Sequence, residues 1–346
     1  MRVLLIANPY STTQHAGLFR RIIPVLRSVE GLRLRGVFTH HRGHAEELCT
    51  GLTRETVDLV IAVGGDGTVN EVVNGLLGPA DAGPATDPRT IPAVAVIPTG
   101  SANVFARALG FPPSPVAAAM MLAGLLRRNL RRSICLGTWN DRWFAVNASF
   151  GMDADVIARV DQARGRGFAA TPLRYLAVAA LAWTRGQRHP PSIDVRARAA
   201  DGRTLALSGV PAFAVSNTNP WTFLGPLPVV TNPRNSFDVG LGLFGITDLR
   251  GPRGAASMLH LIGFGHHPRV RRWLDARIVR FDDATDVTLT CPRPESFQAD
   301  GEFEGEFERA VLGSRPAALE VYAPQDPYPV SSRTWRQVLR DLIRIH

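Results

Sequence analysis

Residues 63–75 read VGGDGTVNEVVNG, and this segment is the strongest indication of the fold class. The apolar run from Val57 to Val63 is typical of a buried strand, and the pattern predicts a helix directly after the glycines. Glycines let the backbone approach a bulky anion, and the free N–H groups of the following helix face that anion. The stretch therefore predicts a phosphate-binding strand–loop–helix unit. The alternative is a tight turn in which Asp66 or Thr68 only caps the helix.

Apolar runs and helical patterns alternate on both sides of this unit. Helices are predicted around 18–26 and over 116–130, and a loop rich in Gly, Pro and Ala is predicted over 77–90. The other predicted strands cover 2–7, 32–38 and 92–97. Strands separated by helices favour a parallel sheet of the doubly wound α/β type, with ligands at the carboxyl ends of the strands.

The pattern changes near Arg132, where short apolar segments separated by turns begin. They lie at 143–150, 193–199, 204–207, 211–216, 239–244, 287–291 and 318–322. This pattern is typical of an all-β domain, and we predict a sandwich. We therefore expect an α/β domain over 1–132 and a β-sandwich domain over 133–329. Helical insertions are predicted near 173–184 and 254–274.

The composition excludes several classes of protein. The 346 residues include 39 Arg and no Lys, and the net charge is +9. A Walker A nucleotide-binding protein, a typical protein kinase and a pyridoxal phosphate enzyme each need a lysine side chain, so all three are excluded. Phosphate must then be held by backbone N–H groups, arginine or a metal ion. The positive charge favours anionic partners.

The sequence also indicates a compartment. The three cysteines, Cys49, Cys135 and Cys291, form no CxxC pair, which is typical of a reducing environment. The longest apolar stretch, 116–126, is far shorter than the roughly 18 residues of a membrane span. The apolar run at 3–7 is too short for a signal peptide. We therefore expect a cytoplasmic protein.

Two further loops are expected at the same sheet edge as the glycine loop. The segment 97–107 follows a predicted strand and carries Thr99, Ser101 and Asn103, whose polar groups can bond phosphate or ribose. The segment 8–12 follows the first strand. Because the carboxyl ends of parallel strands share one edge, we expect the three loops to form one binding site.

These residues together resemble the diacylglycerol kinase catalytic-domain family, which comprises bacterial diacylglycerol and other lipid kinases together with sphingosine and ceramide kinases. The matching pieces follow the family's order along nearly the whole chain. They are Asn8-Pro9, Thr39 with Gly43-His44-Ala45, Gly64 to Asn74, Pro98 to Arg107, Phe150 to Ala154 and Asp300-Gly301-Glu302. The resemblance implies an N-terminal nucleotide-binding domain, a C-terminal β-sandwich and an active site between them. It also implies ATP as donor and a lipid alcohol as acceptor.

The resemblance assigns the nucleotide contacts to the loops and to the end of the second strand. By this similarity they are Asn8, Pro9, Tyr10, Ser11, Thr12, Thr39, Gly65, Asp66, Gly67, Thr68, Val69, Asn70, Glu71 and Ser101. Asp66 is negative where phosphate is expected, and Mg²⁺ held between its carboxylate and the phosphates reconciles the two charges. We therefore expect ATP and Mg²⁺ as cofactors, with Asp66 as a catalytic metal ligand.

By this resemblance, the triplet Asp300-Gly301-Glu302 contains the residue that acts as acid or base in the reaction. By itself, the Asp-Gly pair predicts a hairpin turn. In the family the triplet is the catalytic motif, where an acidic group accepts the proton of the attacking hydroxyl, as phosphoryl transfer requires. We expect Glu302 to be the proton acceptor, with Asp300 as the second candidate or as a ligand of the metal network.

Three positions depart from the family's acidic residues. Val104 and Cys135 stand where the family usually has Asp, and Asn235-Ser236 replaces the Asp-Gly pair of a structural metal site. An amide binds Mg²⁺ more weakly than a carboxylate, because it carries no charge. Asn232, Asn235 and Phe237 therefore form that metal site only if amide oxygens are sufficient to bind the ion. The lost acids predict altered metal use or low activity.

Three histidines, His40, His41 and His44, follow the second strand and resemble a metal-binding cluster. The sequence offers no other ligand nearby that completes a site. We therefore interpret them as part of a loop whose polar groups are satisfied within the protein.

Three functions stay open. The first is an ATP-dependent lipid kinase at a membrane surface. The second is a soluble kinase of the same superfamily, such as an NAD kinase or phosphofructokinase, and the third is a non-catalytic nucleotide-binding protein. No nucleic-acid partner is expected, because the arginines are scattered and not interleaved with aromatic residues. The identity of the lipid is left open, and so is a homodimer.

An amphipathic helix is expected at the C-terminus, over 330–346. Its apolar side includes Trp335, Leu339 and Leu342. Its basic residues are Arg333, Arg336, Arg340 and Arg344. Such a helix either attaches the protein to an anionic membrane surface or packs its apolar side back onto the α/β domain. We expect a peripheral protein at the inner face of the membrane.

Overall fold

The computed structural model describes residues 1–13, 16–81, 87–151, 154, 190–225, 227–251, 254, 256–257 and 277–325. The chain divides into two compact units. Unit 1 comprises Met1–Ala145 and Arg315–Pro329, and unit 2 contains Val146–Ser314. The helical insertion predicted at 173–184, most of the one at 254–274 and the C-terminal helix lie outside the described residues.

A parallel sheet forms the centre of unit 1. Its strands are β1 (Arg2–Ala7), β2 (Arg33–Phe38), β3 (Leu59–Gly64) and β4 (Ala93–Pro98). They stand in the order β4-β3-β1-β2, and all neighbours run parallel. β3 and β4 are buried along their whole length, as continuous apolar strands covered on both faces should be. The four predicted strands are confirmed.

Helices cover both faces of this sheet. In the described part of unit 1 they are α1 (Ala16–Arg27), α2 (His44–Cys49), α3 (Asp66–Leu77), α4 (Val104–Ala108) and α5 (Pro115–Arg127). α1 packs against α5, and α2 packs against α3. Right-handed crossovers from β1 to β2 and back to β3 place these two pairs on opposite faces. The predicted doubly wound α/β class is confirmed.

A hairpin of β5 (Arg132–Trp139) and β6 (Arg142–Phe144) also belongs to unit 1. The backbone N–H of Trp143 donates to Asn74 Oδ1 at 3.0 Å, and its indole Nε1–H donates to the Gly78 carbonyl at 2.8 Å. These bonds attach the hairpin to α3. The division between the units therefore falls after Ala145 instead of near Arg132.

Strands dominate the described residues of unit 2. They are β7 (Asn147–Gly151), β8 (Ile193–Ala199), β9 (Thr204–Val210), β10 (Ala212–Ser216), β11 (Thr222–Leu224), β12 (Leu227–Val229), β13 (Leu241–Ile246), β14 (Ile278–Ala299) and β15 (Glu302–Val321). The all-β class predicted for the C-terminal region is confirmed. The end of β15 belongs to unit 1, where Val321 pairs in parallel with Val94 of β4.

β14 organises unit 2 because it changes partners along its 22 residues. It pairs with β13 over 278–284, with β8 over 284–290 and with β7 over 297–299. Since β7 pairs with β10 and β10 with β13, these three strands and β14 close a ring. The strand predicted at 287–291 is only the middle of this element. Pro292 and Pro294 interrupt the apolar alternation, which is why the pattern predicts a shorter strand.

Among the helices of the described residues, none combines the length and the apolar character that a transmembrane helix needs.

Candidate functional site

Three loops meet at the carboxyl edge of the sheet in unit 1. The hydroxyl groups of Ser11 and Thr99 are 2.7 Å apart, which joins the loop after β1 to the loop after β4. Thr13 donates to the Thr99 carbonyl from its N–H at 2.9 Å and from its hydroxyl at 3.0 Å. The Thr99 N–H donates to the Gly64 carbonyl at 3.0 Å, so the loop after β3 lies beside the other two. The structure thus brings the three predicted loops together.

Glycines bring two of these loops into backbone contact. A Cβ on Gly100 would lie 2.5 Å from the Cα of Gly65. A Cβ on Gly64 would lie 2.3 Å from Oγ1 of Thr68. Real Cβ atoms essentially never come so close to other atoms, so these glycines are required by loop packing, whether or not a ligand is bound. The glycine pattern is therefore explained by close packing of the loops as well as by phosphate binding.

The Asp66 carboxylate binds the backbone of the neighbouring loop. Its Oδ2 accepts the N–H of Val104 at 3.0 Å, and its Oδ1 accepts the N–H of Phe105 at 2.9 Å. Burial raises the pKa of Asp66, while these two hydrogen bonds and the charge of Arg107 oppose the rise. Asp66 therefore caps α4, not its own helix α3, whose N-cap is Gly65. It connects the glycine loop to Val104, the position where the resemblance leads us to expect an acidic residue.

Glu71 holds a fourth loop in the same way. Its Oε1 accepts the N–H of Gly43 at 2.7 Å, and its Oε2 accepts the N–H of Ala45 at 3.0 Å. Gly43 has a φ of 83°, in the left-handed region that favours glycine. Thr39 is buried at the start of this loop and donates its N–H to the Ala7 carbonyl at 2.9 Å. Glu71 therefore ties the segment 39–45 to α3.

Several predicted nucleotide contacts are engaged with the protein instead of facing outward. Thr68 and Val69 are buried, and Thr68 packs against Gly64. Asn70 Nδ2 donates to the Trp143 carbonyl at 3.0 Å, which helps to attach the β5–β6 hairpin to α3. For these three residues the structure shows a role in packing, and contact with a nucleotide stays a prediction.

Other predicted contacts are open to solvent at the loop tips. These are Pro9, Tyr10, Thr12 and Ser101, with Asn8, Ser11, Gly65 and Gly67 partly exposed. Tyr10 is 86% exposed. Asn103, at a φ of 48°, accepts the N–H of Gly100 at 2.8 Å and donates to its carbonyl at 2.7 Å, which fixes the turn that presents Ser101.

The Asp300-Gly301 pair forms the two-residue turn between β14 and β15 in unit 2. Ala299 pairs with Glu302, and the two turn residues have φ values of 51° and 79°. Left-handed φ values at both positions are those of a type I′ hairpin, so the local prediction is confirmed. Asp300 is buried, and its Oδ1 accepts the N–H groups of Val146 at 2.7 Å and Asn147 at 3.1 Å. Asp300 anchors the turn, whereas Glu302 is half-buried.

A buried polar network beneath this turn was not predicted from the sequence. Gln298, 1% exposed, donates from Nε2 to Asn147 Oδ1 at 2.8 Å and to Ser149 Oγ at 2.9 Å. Its Oε1 accepts the N–H of Gly301 at 2.9 Å. Asn147 Nδ2 donates to the Trp221 carbonyl at 2.8 Å. Polar residues within apolar strands were the available signal, because such residues need partners when they are buried.

The predicted metal ligands Asn232, Asn235 and Phe237 lie between β12 and β13 in unit 2, and all three are buried. The Oδ1 atoms of the two asparagines have no hydrogen-bond donor. Asn232 Nδ2 donates to Asp282 Oδ1 at 2.7 Å, and Asn235 Nδ2 donates to the Ser216 carbonyl at 2.7 Å. Amide oxygens without a hydrogen-bond donor are the kind of ligand atom that a hard cation binds. The Asp282 carboxylate is bound to Asn232 itself.

The histidine cluster gains one further ligand candidate, because His41, His44 and Glu47 offer ligand atoms within 4.8 Å of one another. The rings of His41 and His44 are stacked at 4.8 Å and only 22° from parallel, so their lone pairs do not converge on one point. Nδ1 of His44 also accepts the N–H of His40 at 3.1 Å. This geometry supports the interpretation as a satisfied loop.

Comparison with known proteins points to one family. Residues 2–132 match the family model described as the diacylglycerol kinase catalytic domain. A diacylglycerol kinase from Bacillus subtilis (strain 168) is 35% identical over 153 residues, which are 43% of this chain and 45% of that protein. A "probable lipid kinase YegS-like" from Chromohalobacter salexigens is 38% identical over 118 residues, 34% of each chain. Both matches span less than half the length of the relative.

The matches that cover more of this chain have lower sequence identity. A diacylglycerol kinase from Staphylococcus carnosus (strain TM300) is 25% identical over 331 residues, 94% of this chain and 96% of that protein. A crystal structure of a diacylglycerol kinase from Bacillus anthracis str. Sterne covers 95% of this chain and 98% of its own, with a TM-score of 0.62 at 18% identity. A second structure from that organism gives 0.69 at 20% identity. The resemblance to this family and the two-part fold class are confirmed.

Proposed function

We propose that this chain is an ATP-dependent lipid kinase, which transfers the γ-phosphoryl group to the hydroxyl group of a membrane lipid such as diacylglycerol. The observation that carries the proposal is the meeting of three loops at the carboxyl edge of β1, β3 and β4, within residues that match the diacylglycerol kinase catalytic domain. The relatives named diacylglycerol kinase or lipid kinase support it.

In this proposal the phosphates of ATP are held mainly by backbone N–H groups, because the chain contains no lysine. The start of α3 suits them, since free N–H groups and the helix dipole favour an anion there. Gly65 and Gly67 are partly exposed and leave the backbone accessible. Tyr10 and Ser101 are exposed at the tips of the neighbouring loops. In the proposal they contact the remainder of the nucleotide.

Mg²⁺, when bound, supplies the charge neutralisation that phosphoryl transfer needs. Asp66 fits such an ion in chemical type, because each carboxylate oxygen keeps a lone pair beside the N–H that it accepts. Asp66 therefore has two roles in the proposal: it clamps the backbone of α4, and it holds the metal ion.

Glu302 is the proposed acceptor of the proton that the lipid hydroxyl loses. Asp300 suits this role less well, because its Oδ1 already accepts two backbone N–H groups and the residue is buried. Glu302 follows the turn directly and is half-buried, so it is the more exposed residue of the two. Asp300 and Gln298 hold the turn that carries it.

The proposal is tested by incubating the protein with labelled ATP, extracted lipids and Mg²⁺, and by identifying the labelled product. Glu302→Gln is expected to lower turnover by about 10²–10⁴-fold with little change in ATP affinity, because a base acts in the chemical step. If Asp300→Asn is the more damaging change and Glu302→Gln is nearly silent, the two roles are exchanged. A folded protein that labels no lipid contradicts the proposal.

A non-catalytic nucleotide-binding protein is the second candidate. Val104 and Asn235 replace acids of the family, and both oxygens of Asp66 are occupied by N–H donors, which favours this candidate. Calorimetry separates the two functions: ATP binding without transfer to any lipid supports the second candidate. Transfer to NAD or a sugar phosphate would instead indicate the soluble-kinase alternative.

Attachment to the inner face of the membrane belongs to the same proposal. The net charge of +9 favours an anionic surface, and each Arg near such a surface contributes about 1 kcal/mol. Co-sedimentation should show binding to anionic vesicles that weakens as salt is added, and little binding to neutral ones. Equal binding to both kinds of vesicle refutes the electrostatic mechanism.

A further inference from the structure

Among the described residues of unit 2, the buried amide oxygens that lack a hydrogen-bond donor include the Oδ1 atoms of Asn219, Asn232 and Asn235. Asn232 is 1% exposed and Asn235 is 5% exposed. Leaving a buried acceptor unpaired is costly, and native proteins almost always satisfy such groups. Three unpaired acceptors in neighbouring residues therefore point to a ligand.

The three residues lie where two loops face each other, which we call the amide junction. Asn235 Nδ2 donates to the carbonyls of Ser216 at 2.7 Å and Thr218 at 3.3 Å. Asn219 Nδ2 donates in the opposite direction, to the Pro233 carbonyl at 3.0 Å. These bonds join the loop between β10 and β11 to the loop between β12 and β13.

Asn232 belongs to the same junction. The Asn235 N–H donates to the Asn232 carbonyl at 3.0 Å, which folds the second loop into a turn. A Cβ on Gly242 of β13 would lie 3.0 Å from Cγ of Asn232 and 2.9 Å from Nδ2 of Asn235. Asn232 and the amide nitrogen of Asn235 therefore both lie against Gly242 of β13.

The orientation of the amides is fixed by the bonds of their nitrogen atoms. Rotating the Asn235 amide would place its oxygen against the Ser216 carbonyl. Rotating the Asn232 amide would place its oxygen against the Leu243 carbonyl and the Asp282 carboxylate. Both changes bring two acceptors together, so the hydrogen-bond network assigns the oxygens as the unpaired atoms.

The carboxylate that touches the junction is already neutralised. Asp282 Oδ1 accepts from Asn232 Nδ2 at 2.7 Å, and Asp282 Oδ2 accepts from Arg234 at 2.6 Å. The oxygens without partners are therefore uncharged amide oxygens. Mg²⁺ sheds its water reluctantly and is bound through carboxylates, whereas rings of neutral carbonyl oxygens replace the hydration shell of K⁺.

We infer that the amide junction binds a singly charged cation, Na⁺ or K⁺, in place of the divalent ion that the family resemblance implies for Asn232, Asn235 and Phe237. The inference does not depend on the proposed kinase activity, because it concerns the stability of unit 2. A bound cation stabilises the folded chain by mass action.

Thermal unfolding of the full chain tests the inference. The midpoint is measured in KCl, NaCl and choline chloride at equal ionic strength, and with MgCl₂ added. We expect KCl or NaCl to raise the midpoint by about 2–4 °C over choline chloride, which corresponds to a modest gain for a domain of this size. MgCl₂ should add nothing at matched ionic strength. Equal midpoints in all three salts overturn the inference and leave water as the occupant.

Asn235→Asp provides the sharper test, because it introduces a charge at the junction. This variant should acquire a stabilising response to MgCl₂ or CaCl₂ that the wild type lacks. Asn219→Asp is the second variant should Asn235→Asp fail to fold, since the Asn219 amide has a single bond to the opposite loop. Asn140→Asp, at the exposed tip of the β5–β6 hairpin, makes the same charge change in unit 1 and should show no response.

Two results count against the inference here. One is a stabilising response of the wild type to Mg²⁺ but not to Na⁺ or K⁺, which would restore the divalent assignment. The other is an Asn219→Asp variant that folds and shows no response to divalent ions. A failed kinase assay leaves both measurements unaffected, so the two proposals are tested separately.

Discussion

In unit 1 the acidic side chains of the glycine loop are occupied by protein. Asp66 accepts two N–H groups of α4, and Glu71 accepts two N–H groups of the loop that begins α2. In unit 2 the uncharged amides of Asn232 and Asn235 leave oxygens without donors. Asp66, predicted as a metal ligand, and Glu71, predicted as a nucleotide contact, thus bind backbone N–H groups. The asparagines, whose amides are weaker metal ligands, have oxygens that need a partner.

This contrast shows that the type of residue does not decide whether a side chain is available to bind a ligand. That depends on which backbone donors reach the side chain in the folded chain. Parallel strands end at one edge, so several N–H groups surround Asp66 and Glu71 there. The asparagines of unit 2 have carbonyl groups as neighbours, which engage their nitrogen atoms and leave their oxygens unpaired.

Asp66→Asn should produce the largest effect on stability. The amide keeps one acceptor but turns a donor toward the N–H of Val104 or Phe105, so one bond is lost and one repulsive contact is made. Hydrogen bonds to charged groups contribute about 1.5–3 kcal/mol each, so we expect a loss of about 3 kcal/mol in the free energy of unfolding by denaturant titration. Ser101→Ala, at an exposed position, is the matched control. A variant as stable as the wild type would show that Asp66 is free to serve the metal alone.

Gln298→Met should lower turnover more than it lowers stability. The variant keeps the length of the side chain but loses its bonds to Asn147, Ser149 and Gly301, so the turn that carries Glu302 is less well held. Small displacements of a catalytic group cost about 10²-fold in rate, and we expect a fall of that size in kcat with the KM for ATP unchanged. Ser149→Ala removes one bond of the same network and should have a smaller effect. A proportional rise in KM would contradict a positioning role.

Glu71→Gln should loosen one loop without unfolding the chain. The amide can accept only one of the two N–H groups at Gly43 and Ala45. We expect a loss of about 1–2 kcal/mol in stability and faster hydrogen exchange at those two amides. Exchange at Asn103 and Gly100, which Glu71 does not contact, serves as the internal control. Unchanged protection at Gly43 and Ala45 would show that the loop is held by other contacts.

Asp282→Asn should have the smallest effect, and the effect should depend on pH. Burial acts to raise the pKa of Asp282, but hydrogen bonds from Asn232 and Arg234 outweigh it and hold that pKa below the ordinary value. A carboxyl group whose pKa is lowered by folding stabilises the protein above its unfolded pKa, and this contribution is lost as pH falls through the folded pKa. The wild type should therefore exceed the variant in stability at neutral pH, and the difference should shrink below about pH 4. Urea titrations at several pH values measure the difference in the free energy of unfolding between the wild type and the variant. A difference that stays constant with pH would exclude the lowered pKa of Asp282 as its cause.

The elements that depend on local interactions could be predicted from the sequence alone. The strands of unit 1 follow from apolar runs, and the loops that end them follow from glycine, proline and polar residues. The Asp300-Gly301 turn follows from the left-handed backbone that this pair accepts. The family resemblance likewise rests on short stretches, each of which can be identified without its neighbours in space.

Tertiary structure decided everything that joins distant parts of the chain. Asp66 and Phe105 are 39 residues apart in sequence, and Asp300 and Val146 are 154 apart, so no local pattern shows that one accepts the N–H of the other. The same holds for the ring that β14 closes and for the division after Ala145. A periodicity reports how a segment is buried but not what buries it, and only the folded chain brings each carboxylate or amide to its donor.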